Sequence, residues 1–362
     1  MGDMPEVISW EVASRVASTV AGYYPEPPVS EVETLQSDLT SVFLQAGQQV
    51  AEATGLEVPG SANPVVMSRS EWAKANIVSF RSTIAPLLEQ LAQKLPRWRL
   101  SSVSAGLAGV QLGAILGWFS SKVLGQFDVI LADASGSLNQ DQVYFVAPNI
   151  ISVELKYGFD QKQFRHWIAL HELTHRAQFN GVPWMREYFK GLVQESISLA
   201  NPDPGAFLAA LKRVFDEIRE GRNPLDENGP MGIFASPEQM VTLNKMTGLM
   251  SLLEGHGDVI MNRAGESDIF ESVRFAEVFT MRRNSKQGVA KLISQLLGTD
   301  AKMRQYQEGA RFVTSVEQAG GSSLFMKVWG GPEYLPNIAE IRTPDLWIQR
   351  ITEISQVRGS DI

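Results

Sequence analysis

One helix constrains this chain more than anything else in it, because its start, its interior and its end are all written between Asp160 and Pro183. Asp160 can act as N-cap, and Gln163, three residues on, can return the hydrogen bond in the manner of a capping box. Asn180-Gly181 supplies a left-handed stop and Pro183 bars continuation, so the spacing predicts a helix over Gln161 to Phe179. Inside it stands His171-Glu172-Leu173-Thr174-His175. Four residues advance a helix by slightly more than one turn, so both imidazoles project from one face toward a single ion. Glu172, beside them, can hydrogen-bond a coordinated water and take its proton. The chain has four histidines, His166, His171, His175 and His256, so this spacing is an uncommon accident of composition.

The sequence contains no cysteine. That removes disulfides, cysteine-ligated zinc, iron–sulfur clusters and thiol nucleophiles, and leaves only His and carboxylates to hold a metal. A catalytic zinc keeps three protein ligands and an open position, so a third ligand is required. Glu254 is the first candidate; Asp258, four residues on and on the same helix face, would accept the second ring N–H of a ligand histidine. His256 is the second, but it lies about 200° around a regular helix from Glu254, so the two face one ion only if the glycines distort the helix. It is either a structural residue or a group that stabilises a developing oxyanion from the side. Glu195 is the third. Gly255 and Gly257 each cost about 1 kcal/mol in a helix interior, which is intelligible if they admit a neighbouring helix or a substrate. His166, about 140° from the motif's metal-facing side, reads as a surface or packing residue.

Acidic residues outnumber basic ones, 40 to 32, for a net charge of -8. With no basic cluster, nucleic acid is not an expected partner. Met1 to Trp10 carries acidic but no basic residues and so lacks the pattern of a secretory signal, and a cytoplasmic location is expected. Val103 to Leu124 is apolar but contains Gln111, Ser120, Ser121 and Lys122, so it reads as a core helix and not a membrane span. Gly106, Gly109, Gly113 and Gly117 would let another helix approach it closely.

Periodicity places helices over Val7 to Val20, Glu31 to Thr54 and Arg69 to Lys94, the last open to interruption at Pro86, with a Pro/Gly loop over Val58 to Pro64. Phe127 to Ala132 and Gln142 to Ala147 read as a hairpin around the turn Asp133 to Asp141, and Ile150 to Leu155 is either a third strand or a helix start. Further helices are expected over Trp184 to Leu199, Pro204 to Arg219 and, capped by Ser236, from Pro237 to about Asn262, with a loop over Gly221 to Gly232. Trp184 and Met185 read as core. The remainder is expected to be helical to Gly320 and then mixed with turns. The expected fold class is mainly α with a small β-sheet (α+β). A single domain over 1–362 is expected, with N-terminal helices over 1–100, a catalytic core over 101–265 and C-terminal helices over 266–362.

The motif looks like the active-site helix of the thermolysin-type gluzincins, and Glu254 with Asp258 resembles their downstream Glu-xxx-Asp element. The two elements are further apart than in thermolysin, with Glu254 79 residues after His175 (254 minus 175). Glu195, 20 residues after His175, matches the shorter spacing, and Arg176 stands where peptidase signatures have an uncharged residue. A closer resemblance covers most of the chain. His171-Glu172-Leu173-Thr174-His175-Arg176-Ala177-Gln178-Phe179, Val182-Pro183-Trp184, Met250 to Asp258 and Gln305-Tyr306-Gln307-Glu308-Gly309 are similar to a family of uncharacterised bacterial zincin-like metallopeptidases. Part of that family is labelled as associated with deazaflavin coenzyme biosynthesis. The resemblance implies a zincin-like core embedded in additional helices, with His171, His175 and Glu254 as zinc ligands, Glu172 as general base and Asp258 behind the ligands. In zincins a strand edge beside the active-site helix aligns an extended peptide, and Gln142 to Ala147 is the expected strand.

The function these readings favour is a zinc metallopeptidase acting on a peptide or amide substrate. An amidase acting on small molecules and a catalytically silent zinc-binding protein are the alternatives.

Overall fold

The computed structural model describes residues 7–23, 25–94, 101–127, 129, 140–198, 237–284 and 299–359. They form two compact units, one of Met1–Gly181 with Ala264–Phe275, the other of Val182–Arg263 with Ala276–Ile362. The boundary at 181/182 falls inside the stretch 101–265 expected to form one core. The architecture is mainly helical with a three-stranded sheet, as the periodicity predicted.

In the first unit, α1 (Trp10–Ala21) and α4 (Ser102–Phe119) pack through small residues. Ala13, Ala17 and Ala21 are fully buried on α1, and Gly109, Gly113 and Gly117 face them so closely that a β-carbon at Gly113 would lie 2.4 Å from the Ala13 carbonyl oxygen. Gly106, expected in the same contact, has open space around it. α4 is long and apolar enough to cross a membrane by length and composition, yet only 28% of it is buried. Val103, Leu107, Val110 and Ile115 are exposed, so the core-helix expectation holds for the glycine face alone.

α2 (Val29–Thr54) buries Leu35, Leu39, Phe43, Ala46 and Val50, a stripe at three- and four-residue spacing. α3 (Arg69–Lys94) runs through Pro86 without ending there. The expected loop over Val58 to Pro64 instead contains most of a strand, β1 (Ser61–Met67), which pairs in parallel with β3 (Gln140–Val146). Pro64 hid it: proline lacks a donor and argues against a strand, but it is tolerated at an edge where no ladder bond is needed. β2 (Gly125–Phe127) pairs antiparallel with β3; of the expected strand Phe127 to Ala132 it contains Phe127 alone, and residues 128 and 130–139, with most of the expected turn, lie outside the described residues. The order β1-β3-β2 puts β3 in the middle, so Gln142 to Ala147 does not present the edge that was expected of it.

The undecided segment after Pro148 is a helix, α5 (Ala147–Tyr157), ended by Gly158 in the left-handed region at φ 59°. α6 (Gln161–Asn180) is the motif-bearing helix. Asp160 caps it, accepting from the Gln163 N–H at 2.9 Å, but Gln163 does not return the bond to the cap; its side chain accepts from the Glu271 N–H at 3.2 Å. Gly181 is not left-handed (φ -78°), and glycine is required there by crowding: a β-carbon would meet the Ala177 carbonyl at 2.6 Å. Arg165 anchors the helix, forking to both oxygens of Glu154 at 2.8 and 2.9 Å and to Asp38 at 2.6 Å. Phe159, Phe164, Trp167 and Phe275 close an aromatic cluster around its first turns.

The second unit contains α7 (Met185–Ser198), α8 (Pro237–Gly265), α10 (Thr299–Phe325), α11 (Ile338–Arg342) and α12 (Pro344–Gly359), while α9 (Ser272–Asn284) begins in the first unit. Gly255 on α8 meets Gly309 on α10 backbone to backbone, where a β-carbon on Gly255 would stand 2.1 Å from a Gly309 atom. The helix-interior glycine thus admits a neighbouring helix, as its cost suggested. α10 breaks at Gly320–Gly321, where Gly321 has φ 72°. Met185 is fully buried, and Trp184 donates its ring N–H to the Trp329 carbonyl at 2.9 Å. The expected helix Pro204 to Arg219, the loop Gly221 to Gly232 and the cap Ser236 lie outside the described residues.

Candidate metal centre

From Phe164 to Phe179, every residue of α6 is buried except His171 and His175. Between Phe164 and Phe179 the helix therefore meets solvent only where the motif places its two imidazoles. Their rings stand 4.6 Å apart at 85°, and the two Nε2 atoms are 3.2 Å from each other. Two nitrogens at zinc-bond length, about 2.0–2.1 Å, around a tetrahedral ion stand about 3.3–3.4 Å apart. The pair has the spacing that such an ion needs.

Gln178 sets the tautomer. Its buried side chain places Oε1 2.9 Å from His175 Nδ1, so Nδ1 carries the proton and donates, leaving the Nε2 lone pair for a metal. This role was expected of Asp258; for His175 it belongs to Gln178. The signal was present, because Gln178 lies three residues from His175 on the same helix face.

Glu172 is buried and rests against β2. Its Oε2 accepts from the Phe127 N–H at 3.0 Å, and Gly125 lies so close that a β-carbon there would be 2.7 Å from both Cγ and Oε1 of Glu172. The strand nearest the motif helix is thus β2, and Glu172 occupies its outward-facing donor at Phe127. Nothing in the sequence singled out Gly125, since a contact between residues 47 apart has no local signature.

The other expected site residues belong to the second unit. Glu254 and Asp258 lie on α8, Glu254 buried and Asp258 half-buried. His256 is 2% exposed, stacked on Phe325 at 5.2 Å and edge-on to Trp329 at 5.2 Å. That packing favours its structural alternative. Glu195 accepts from the Thr242 hydroxyl at 2.8 Å. His166, in the first unit, is a packing residue and not a surface one: its Nε2 lies 2.8 Å from Gln49 Oε1, and burial lowers its pKa.

A capped helix presenting two convergent imidazoles with a carboxylate between them defines the class of zincin-type metal sites. The sequence profile of the zincin-like metallopeptidases matches residues 8–348, and the chain belongs to that family. The family implies a metal, usually zinc. No curated protein matches the chain. Among solved structures, a crystal structure from Chloroflexus aurantiacus described as "a putative hydrolase with a novel fold" is 30% identical. The likeness covers 95% of this chain and 99% of that one, with a TM-score of 0.70.

Proposed function

We propose that this chain is a soluble zinc-dependent hydrolase that cleaves peptide or amide bonds, with His171, His175 and Glu254 as ligands and Glu172 as general base. The observation that carries the reading is the 3.2 Å approach of two Nε2 atoms, one of them with its tautomer set from behind by Gln178. Family membership supports the metal and the hydrolytic class. His171, His175 and Glu254 are a donor set of the kind that could hold an ion. Two neutral imidazoles and one carboxylate suit zinc in the absence of cysteine. Asp258, one turn beyond Glu254, is assigned to orient a ligand from behind.

Zinc, when bound, supplies Lewis acidity for the carbonyl and for water. Glu172 takes the proton of the attacking water and returns it to the leaving nitrogen. The Phe127 N–H bond holds Oε2 of Glu172 against β2 and so positions the carboxylate for this work. The buried helix around the pair keeps bulk water to the two histidine positions, which strengthens every charge interaction there.

The test is metal analysis of the purified protein together with hydrolysis of a fluorogenic peptide library and a panel of small amides. Wild type is expected to carry about one zinc and to cleave. Glu172→Gln keeps the zinc and loses about 10²- to 10⁴-fold in rate. Full activity in Glu172→Gln, or wild type that binds no zinc, refutes the assignment. Cleavage confined to the small amides moves the substrate class from peptide to small molecule.

A further inference from the structure

A sheet of three strands has two outer edges, and here they differ. β2's edge is capped by Glu172 at Phe127. β1's edge is capped by Gln36 of α2, whose Oε1 accepts from the Val66 N–H at 3.1 Å and whose Nε2 donates to the Pro64 carbonyl at 3.0 Å. The Gln36 carboxamide sits on β1 as a peptide group of an added strand would.

Those two bonds also fix which residues of β1 face outward. In a parallel ladder a residue's N–H and C=O point to the same side, and the side alternates from one residue to the next. Pro64 and Val66 point away from β3, so Ser61, Asn63, Val65 and Met67 serve the ladder with it, and Ala62 points outward like Pro64. Among the described residues no group bonds the outward N–H and C=O of Ala62.

Ala62 lines a cavity of about 380 Å³ that belongs wholly to the first unit, bounded by α2, the 58–64 segment and α6. Phe43, Leu44, Ala51, Val58 and Leu173 give it apolar walls, and Leu44 is 76% exposed there. Leu173 follows His171 by two residues and so lies about 200° around α6 from it, which separates the cavity from the metal-facing side. The volume is within the range of ligand-binding pockets, roughly 300–1,000 Å³.

We propose that this groove binds an extended peptide segment, added as a further strand at the outer edge of β1. One residue of the segment exchanges both backbone hydrogen bonds with Ala62, and a neighbouring apolar side chain enters the cavity. Backbone pairing selects an extended chain, and a side chain such as Val, Leu or Ile matches the apolar part of the wall, which adjoins a polar part formed by Thr40, Gln48, Asn63 and Arg176. The site is independent of the zinc reading, since none of its groups is a proposed ligand or base.

The experiment uses the full-length protein and two blocked pentapeptides, acetyl-Thr-Val-Thr-Val-Thr-amide and the same peptide with alternate amides N-methylated. The readouts are amide shifts and hydrogen exchange at Ala62. The unmethylated peptide is expected to bind with a dissociation constant near or below about 1 mM and to slow Ala62 exchange by at least about tenfold. The methylated one should do neither. Ala62→Pro deletes the donor without touching the ladder to β3, and should abolish binding. Gly47→Phe is the second variant: Gly47 lines the cavity and has open space around it, so the ring fills the groove without a clash and should also abolish binding. The proposal is overturned by unchanged Ala62 exchange at several millimolar peptide, by equal binding of the methylated peptide, or by undiminished binding to a folded Gly47→Phe protein.

Discussion

Gly125 and Glu172 are in contact so close that no residue with a side chain fits at position 125 while the carboxylate stays where it is. The nearest atoms are the Cγ and Oε1 of Glu172, the movable end of a side chain, so a methyl group at 125 displaces the carboxylate and not the strand. Gly125→Ala is therefore expected to behave like a mild Glu172→Gln. Zinc content is unchanged while kcat falls by about 10²-fold, the cost of misplacing a proton-transfer group, with KM much less affected. Gly106→Ala, at a glycine with open space around it, is the control. A Gly125→Ala enzyme with wild-type kcat places the working position of Glu172 elsewhere.

Gln178 acts on the metal through His175 and not by touching it. Replacing it with Leu removes the acceptor for Nδ1–H and frees the ring to adopt the other tautomer. The expected outcome is a loss of about 10- to 100-fold in zinc affinity, the usual cost of removing such a partner, read by competition with a chromogenic chelator. Gln178→Glu keeps an acceptor and should retain affinity. Equal affinity in Gln178→Leu would mean that the ring is oriented by another group.

The third ligand can be assigned by the same chelator measurement on Glu254→Ala, His256→Ala and Glu195→Ala. The proposed set predicts a loss of zinc in the first alone. His256→Ala should instead lower the melting temperature, because it leaves a void between Phe325 and Trp329.

What was legible from the sequence was whatever local chemistry determines. The α6 helix, its cap and the imidazole pair follow from residues within four positions of each other, and the glycine cost at Gly255 pointed correctly to a neighbouring helix. What was not legible depended on distant pairing. β1 was obscured by Pro64, whose missing donor is harmless only at an edge that β3 leaves free. β3 read as the substrate-facing edge because a strand's own residues do not say whether one neighbour flanks it or two. Gly181 fitted a left-handed stop by composition, yet it is glycine because Leu56 and Ala177 crowd it. At the site, the residues beyond the motif were hidden for a related reason: Gly125 serves Glu172 through space.

His166 gives a dependence of stability on pH. Burial lowers its pKa below the ordinary value, with Asp268 pulling partly the other way. The folded state thus favours the neutral ring, while the unfolded chain takes up the proton near pH 6.5. The contribution is complete above that value and is lost as pH falls through the folded pKa. The difference in melting temperature between wild type and His166→Gln should shift against wild type between pH 7.5 and 5. A difference that stays constant over that range assigns the acid sensitivity to other groups.

The α1–α4 contact separates two glycines that look alike in sequence. Gly113→Ala drives a methyl group to 2.4 Å from the Ala13 carbonyl oxygen and 2.9 Å from Val16 Cβ, and backbone cannot yield as a side-chain tip can. Overpacking of this kind costs about 1–3 kcal/mol. Gly106→Ala, seven residues earlier on α4 and with nothing within 4 Å of the new methyl, gains about 0.5–1 kcal/mol from helix propensity instead. Opposite signs in denaturant unfolding of the two variants are therefore expected. If both stabilise, α1 does not lie against the glycine face in solution and the small-residue contact is lost; if both destabilise, the face around Gly106 is covered as well.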